Sequence, residues 1–151
     1  MAKYTVGSAK EVLAALQKAG SGDTIYLKAG TYNSISLQNI KIPGNVTITS
    51  LDQNNPAVIN SLLVANSSGL TFSNVDMKMT ATSAQYAFTV RSSSNITFDD
   101  VRVEAADGNI AYQQSPFMIR NSSGITITDS EFSHAWNGVN MLDIGQAVAP
   151  L

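Results

Sequence analysis

The chain has no cysteine, one histidine, one tryptophan and few charges. The missing cysteine excludes disulfide staples and thiolate metal sites, and leaves the compartment undetermined. Charged residues make up 13% of the chain, well below the roughly one quarter usual in globular domains. Net charge is −2 and the isoelectric point about 5.1, with no basic patch, which argues against a nucleic-acid partner. No apolar run reaches the roughly 18 residues that a membrane-spanning helix needs. No apolar stretch follows Lys3, so no signal peptide is visible. What remains is 151 residues, enough for one domain with a buried core, 44% of them hydrophobic. Ser, Thr and Asn fill the polar positions, a surface suited to stacked β-turns rather than to amphipathic helices.

Against this background a motif returns with altered letters. Ile42-Pro-Gly-Asn-Val-Thr-Ile-Thr-Ser50 is followed by Asn66-Ser-Ser-Gly-Leu-Thr-Phe-Ser-Asn74, Ser92-Ser-Ser-Asn-Ile-Thr-Phe-Asp-Asp100 and Asn121-Ser-Ser-Gly-Ile-Thr-Ile-Thr-Asp129. The anchors Val46, Leu70, Ile96 and Ile125 are separated by 24, 26 and 29 residues. A drifting period in this range marks a solenoid, whose core is buried between successive turns. Aligned, the repeats predict an inward column Val46–Leu70–Ile96–Ile125 and a second one, Ile48–Phe72–Phe98–Ile127. The threonines between them, Thr47, Thr71, Thr97 and Thr126, point outward, because residues two apart on a strand share a face. A further strand stacks Leu62, Phe88 and Phe117 beside Val64, Val90 and Ile119. Asp76, Arg102 and Glu131 share one column, and Lys78 and Glu104 another. That alternation of sign supports the register, although an exposed ion pair contributes only about 0–1 kcal/mol.

One helix is expected, over residues 9–19. Ser8-Ala-Lys-Glu11 reads as a capping box, Val12, Leu13, Leu16 and Ala19 form an apolar stripe, and Gly20 and Gly22 stop it. Preceding coils at about 23–45, 46–69, 70–95, 96–124 and 125–151, this helix is expected to cap the N-terminal end of the stack. No second cap is read after Leu142. The C-terminal end is therefore expected to be a self-association surface, or to continue into a longer protein.

Residues 8–37, with Ala14-Ala-Leu-Gln-Lys-Ala-Gly-Ser-Gly-Asp-Thr-Ile-Tyr-Leu-Lys-Ala-Gly-Thr-Tyr32, resemble the opening of right-handed parallel β-helix proteins of the pectate-lyase-like superfamily. The likeness is greatest to chondroitinase B and the related alginate lyases, and Asn45-Val-Thr-Ile-Thr-Ser-Leu-Asp-Gln-Asn-Asn-Pro-Ala-Val-Ile59 continues it. Similar openings occur in mannuronan epimerases, phage tailspikes and calcium-binding secreted β-helices. At the level of fold the resemblance covers nearly the whole chain. It implies an all-β, right-handed parallel β-helix of about 4–5 coils with an N-terminal capping helix. It also implies the N-terminal portion of a polysaccharide-active protein, a lyase or epimerase relative, extracellular or at the cell surface, with an acidic polysaccharide as partner. In the lyases the calcium-binding acids and the catalytic lysine and arginine lie in later coils. No catalytic residue is carried over, this chain alone is expected to be inactive, and calcium is reserved for a longer parent. The alternative is a non-enzymatic surface-adhesion or tailspike-like segment.

Several residues invite chemistry. Arg91 and Arg120 end aligned strands, where stacked guanidinium groups could grip uronate carboxylates, or simply be solvated strand ends. Asp99, Asp100 and Asp129 lie where calcium could bind, but Asp is also a default turn former. His134 could act as a base, yet only Glu131 stands near it in sequence, and a surface-loop role is the plainer reading. Tyr86, Tyr112 and Trp136 each precede the same strand in successive coils, within the variable segments 80–87, 105–116 and 133–138. Variable loops on a solenoid usually carry its binding surface, and aromatic faces stack on sugars; alternatively, these rings lid the coil edges. The threonine column invites comparison with ice-binding faces, but Ser73 and Asp99 interrupt it. The candidate glycan-binding set is thus Tyr86, Tyr112, Trp136, Arg91, Arg120 and His134.

Overall fold

A computed structural model of the chain describes residues 1–80, 87–104, 117–133, 139–142 and 146–148. In chain order the elements are β1 (Lys3–Val6), α1 (Ala9–Lys18), β2 (Thr24–Leu27), β3 (Thr31–Tyr32), β4 (Ile35–Gln38), β5 (Lys41–Ser50), β6 (Val58–Ile59), β7 (Leu62–Ala65), β8 (Ser68–Ser73), β9 (Asp76–Lys78), β10 (Phe88–Arg91), β11 (Ser94–Asp99), β12 (Arg102–Glu104), β13 (Phe117–Arg120), β14 (Ser123–Thr128), β15 (Glu131–Ser133), β16 (Val139–Leu142) and β17 (Gln146–Val148). Each strand pairs in parallel with its counterparts one coil away. Sheet 1 runs β1-β2-β5-β8-β11-β14-β17, sheet 2 runs β3-β6-β9-β12-β15, and sheet 3 runs β4-β7-β10-β13-β16. The chain is a parallel β-solenoid of about four turns, visiting the three sheets in that order on every turn.

The register follows the hydrophobic columns. Val46 pairs with Leu70, Leu70 with Ile96 and Ile96 with Ile125; Ile48, Phe72, Phe98 and Ile127 align in the same way. In sheet 3, Ile35, Leu62, Phe88 and Phe117 form one inward column, and Leu37, Val64, Val90 and Ile119 the next. These side chains are buried, each worth roughly 1.5–3 kcal/mol relative to exposure. Inside the coils the aromatics meet: Phe72 stacks on Phe98 with centroids 5.2 Å apart, and Phe98 meets Phe117 edge-on at 4.8 Å.

The corners repeat as faithfully as the strands. Asn39, Asn66, Ser92 and Asn121, which leave sheet 3 on four successive coils, all have positive φ between 48° and 60°. Asn74, Asp100 and Asp129, which leave sheet 1, have φ of 48–55°. Left-handed backbone is tolerated best by Gly, Asn and Asp, so the Asn and Asp that fill the repeats serve the turns. At the third recurrent position, Gly69 has φ +78° and a Cβ built on it would lie 2.4 Å from the Ile42 carbonyl oxygen. The cause is an excursion in β5, where five steps from Lys41 to Val46 oppose only the two from Ser68 to Leu70. Only glycine fits beneath it.

The N-terminal end differs from expectation in two respects. Strand β1 precedes the helix and pairs with β2, adding a strand to sheet 1 ahead of the first complete coil. Its letters, Lys-Tyr-Thr-Val, are too few to carry a period. The helix has Ser8 as N-cap, with Glu11 N–H donating to Ser8 Oγ at 3.2 Å. It ends at Lys18 through an extended Ala19, not through a left-handed glycine. Gly20 instead donates its N–H to the Asp23 carboxylate at 2.9 Å. Helix α1 buries Val12, Ala15 and Leu16 against β1, β2 and β4, and so closes much of that end.

Candidate functional site

Sheet 3 positions the two candidate arginines. In β10 and β13 the inward residues are Phe88, Val90, Phe117 and Ile119, so Arg91 and Arg120 stand on the opposite face at the strand ends. They are register partners, which puts their backbones about 4.8 Å apart. Both side chains are exposed. The two outward columns on this face read Ser36, Leu63, Thr89, Met118 and Gln38, Ala65, Arg91, Arg120, and neither contains a carboxylate. Among the described residues neither arginine has an ion-pair partner.

Sheet 2 handles charge in the opposite way. Asp76, Arg102 and Glu131 are register partners, as are Lys78 and Glu104. Arg102 Nε donates to Asp76 Oδ1, Nη1 to Asp100 Oδ1 at 3.4 Å and Nη2 to Asn74 Oδ1 at 3.2 Å. Lys78 Nζ lies 4.0 Å from Glu104 Oε2. A shallow hollow of about 220 Å³ is lined by Asp76, Lys78, Arg102, Val103, Glu104 and Glu131. Three acceptors engage the Arg102 guanidinium, which ties it to the Asn74/Asp100 corner. Thus opposite signs alternate on sheet 2, while sheet 3 sets like against like, an arrangement that is locally unfavourable.

The arginine backbones are held by buried serines of the recurring motif. Ser67, Ser93 and Ser122, the middle letters of the recurring Asn/Ser-Ser-Ser, are buried polar residues. Their hydroxyls form a ladder. Ile40 N–H donates to Ser67 Oγ at 3.1 Å, Ser67 N–H to Ser93 Oγ at 3.2 Å, and Ser93 N–H to Ser122 Oγ at 3.2 Å. Each hydroxyl in turn donates at 2.8 Å to the carbonyl two residues back, Ala65, Arg91 and Arg120 respectively. The signal was the repetition of a small hydroxyl residue at one column beside a left-handed corner. Its meaning required knowing which letter points inward.

Tyr86, Tyr112, His134 and Trp136 lie outside the described residues. The strands that flank their segments are described. Each of the segments 79–87, 105–116 and 134–138 joins a strand of sheet 2 to a strand of sheet 3. In the two earlier coils the same connection is only Asn33-Ser34 and Asn60-Ser61. Asp100 and Asp129 have left-handed turn backbones, and Asp99 Oδ1 accepts from Thr128 Oγ1 at 3.1 Å.

Two titrating groups at the N-terminal end are perturbed. Asp23 is held below the usual carboxylate range by the N–H groups of Gly20 and Ala2, which donate to it at 2.9 and 2.7 Å. Burial pushes the Tyr32 hydroxyl up, with a further contribution from the Glu11 carboxylate. That hydroxyl donates to the Lys28 carbonyl at 2.8 Å, with the Val6 carbonyl farther off at 3.3 Å. Both groups brace the end of the stack.

In comparisons with known proteins, no family model, no curated protein and no solved structure matches the chain. Fold and site together define a parallel β-solenoid with a like-charged arginine pair on one outer face.

Proposed function

We propose that this chain is the glycan-holding, N-terminal portion of a polysaccharide-active β-helix protein, a lyase or epimerase relative, and that it takes an acidic polysaccharide on the outer face of sheet 3. The observation that carries the reading is the register pairing of Arg91 with Arg120, both exposed and without a described counter-ion. Two guanidinium groups at strand spacing lower each other's stability unless an anion sits between them. A carboxylate can accept two parallel N–H donations from each, which fixes its orientation as well as its charge. Lengthened connections enter this sheet in the two coils that carry the arginines and in the coil after them. Their Tyr86, Tyr112 and Trp136 would supply the apolar faces on which sugar rings stack. Such a ligand places the protein outside the cell or at its surface.

Calorimetric titration with polyuronate oligosaccharides, beside a neutral glycan of equal length, tests this. Saturable binding of the acidic chain is expected. It should weaken with salt and fall at least about tenfold in R91A/R120A, the loss expected for charge-assisted hydrogen bonds worth about 1.5–3 kcal/mol. Equal binding of the neutral chain, or a double variant with unchanged affinity, would sink the reading. Ultraviolet absorbance should reveal no unsaturated product from the chain alone, and product formation would show that holding is not its whole role.

A further inference from the structure

The corners between sheet 1 and sheet 2 differ in length. Asn74-Val75, Asp100-Val101 and Asp129-Ser130 turn in two residues, whereas residues 51–57 bridge β5 to β6. One hydroxyl anchors both ends of this longer loop. Ser50 Oγ accepts from Ala57 N–H at 2.9 Å and donates to the Asn74 carbonyl of the next coil at 2.6 Å. Inside the loop, Asp52 Oδ1 accepts from Asn54 N–H at 2.9 Å, and the Asp52 carbonyl accepts from Asn55 N–H at 3.1 Å. Such an Asx turn fixes the backbone through Asp52. The loop is thus ordered without using the side chains of Gln53 and Asn54.

Between this loop and the corners of the next two coils lies a hollow of about 390 Å³. Its volume falls in the range of ligand clefts, about 300–1,000 Å³. Thr49, Gln53, Asn54, Ser73, Asn74, Asp100 and Arg102 line it. Among the described residues, the side chains of Thr49, Gln53, Asn54 and Ser73 make no hydrogen bond. Asn74 Oδ1 accepts from Arg102 Nη2 at 3.2 Å, so its amide N–H groups remain. Asp100 Oδ1 receives Arg102 Nη1 only at 3.4 Å, and the Asp100 side chain is 57% exposed. Its second carboxylate oxygen accepts nothing among the described residues.

This lining discriminates by charge. Calcium needs several oxygen ligands. Here Arg102, itself a permanent cation, lines the hollow and holds Asn74 Oδ1 and Asp100 Oδ1. An anion would face the exposed Asp100 carboxylate, while Arg102 is already shared between Asp76 and Asp100. What fits is a neutral ligand whose groups both donate and accept. Amides and hydroxyls together offer both, and so do the hydroxyls of a sugar. We infer that this corner binds one ring of a neutral sugar through two adjacent hydroxyls, with Asp100 as the anchor. The carboxylate accepts an O–H from each, and such charge-assisted bonds are short and strong. Gln53 and Asn54 from the loop, with Thr49 and Ser73 from sheet 1, complete the donors and acceptors around the ring. The site does not rest on the arginine pair, which belongs to sheet 3. One small ring in an open hollow is expected to bind only at the millimolar level. A neutral chain does not thereby equal an acidic one on sheet 3.

Titration of the chain's amide chemical shifts with methyl glucoside, galactoside and mannoside tests it. At least one glycoside is expected to shift the amides of residues 49–54, 73, 74 and 100 saturably and independently of salt. Its analogue lacking one hydroxyl of the adjacent pair should bind at least about tenfold more weakly. D100N removes the charge and keeps a residue type that Asn74 already places at this left-handed corner. It should cost at least about tenfold in affinity. Q53A/N54A alters side chains that the fold does not use, and should weaken binding at an unchanged melting temperature. Circular dichroism checks that D100N is folded; if it is not, Q53A/N54A decides. R91A/R120A should leave this titration unaltered, so failure here and failure on sheet 3 are separable. The inference is overturned by the absence of saturable shifts with all three glycosides, or by equal affinity for the deoxy analogue. Wild-type affinity in D100N or Q53A/N54A would overturn it too, as would the same shifts with calcium or a methyl uronate. Loss of the shifts in R91A/R120A would assign the binding to sheet 3 instead.

Discussion

At the residue scale, the buried hydroxyls are the most exacting choice in the chain. A serine at the Ser93 position accepts one hydrogen bond and donates another within a space that excludes water. Replacing Ser93 with alanine removes the acceptor for the Ser67 N–H, and Ser67 is 2% exposed. Leaving a buried donor unsatisfied costs about 1–3 kcal/mol. S93A is therefore expected to lose stability by that amount in a urea titration, with an unchanged slope, whereas S94A on the half-exposed neighbour should be near neutral. Equal stability of S93A and wild type would mean that water replaces the hydroxyl. The ladder also bears on the arginines: S122A, which removes one of the two donors to the Arg120 carbonyl, should weaken polyuronate binding less than R120A does.

At the element scale, one carboxylate reinforces the pairing of β1 with β2. Asp23 accepts the Ala2 and Gly20 N–H groups, so it joins the chain before β1 to the end of α1. Its pKa is lower in the folded state than the ordinary value of 3.8. The sign follows: the unfolded chain holds the proton more tightly, so the stabilisation is fully present above the ordinary carboxylate pKa and is lost as pH falls through the depressed folded value. Melting temperatures measured from neutral pH downward should therefore show an acid-linked loss that D23N lacks, since the amide does not ionise. Hydrogen exchange of the β1 amides should rise over the same interval. A D23N profile parallel to wild type throughout would assign the acid sensitivity to other carboxylates.

At the scale of the whole molecule, a solenoid has no long-range packing beyond adjacent coils, so stability grades from the middle outward. An aromatic series, Phe72–Phe98–Phe117, links β8, β11 and β13 across the middle coils. The amides of β8 and β11 are expected to exchange slowest, and those of β1, with a neighbour on one side only, among the fastest. Exchange protection uniform from β1 to β14 would show a single cooperative unit instead. The same one-dimensional order turns a sequence with few charges into a polar rod, lysine-rich at one end and acidic at the other.

The repeat alone determined the strand columns, the coil register and the pairing of Asp76 with Arg102. Parallel strands in register copy sequence spacing directly into space, and a period-two pattern names the inward face. The capping helix was legible for a similar reason, since Ser8 and Glu11 act within one turn. Strand β1 was not, because four residues carry no period and their pairing with β2 is made across an intervening helix. Nor was the ending of α1, where the Asp23 carboxylate serves Gly20 from three residues away. The candidate site divides along the same line. That Arg91 and Arg120 align could be read from Phe88-Thr-Val-Arg and Phe117-Met-Ile-Arg. That they stand on a face without carboxylates, while Arg102 is engaged by Asp76, Asp100 and Asn74, was decided only by the tertiary structure. Charge pairing depends on what surrounds a side chain in three dimensions, and residues that are distant in sequence provide those surroundings.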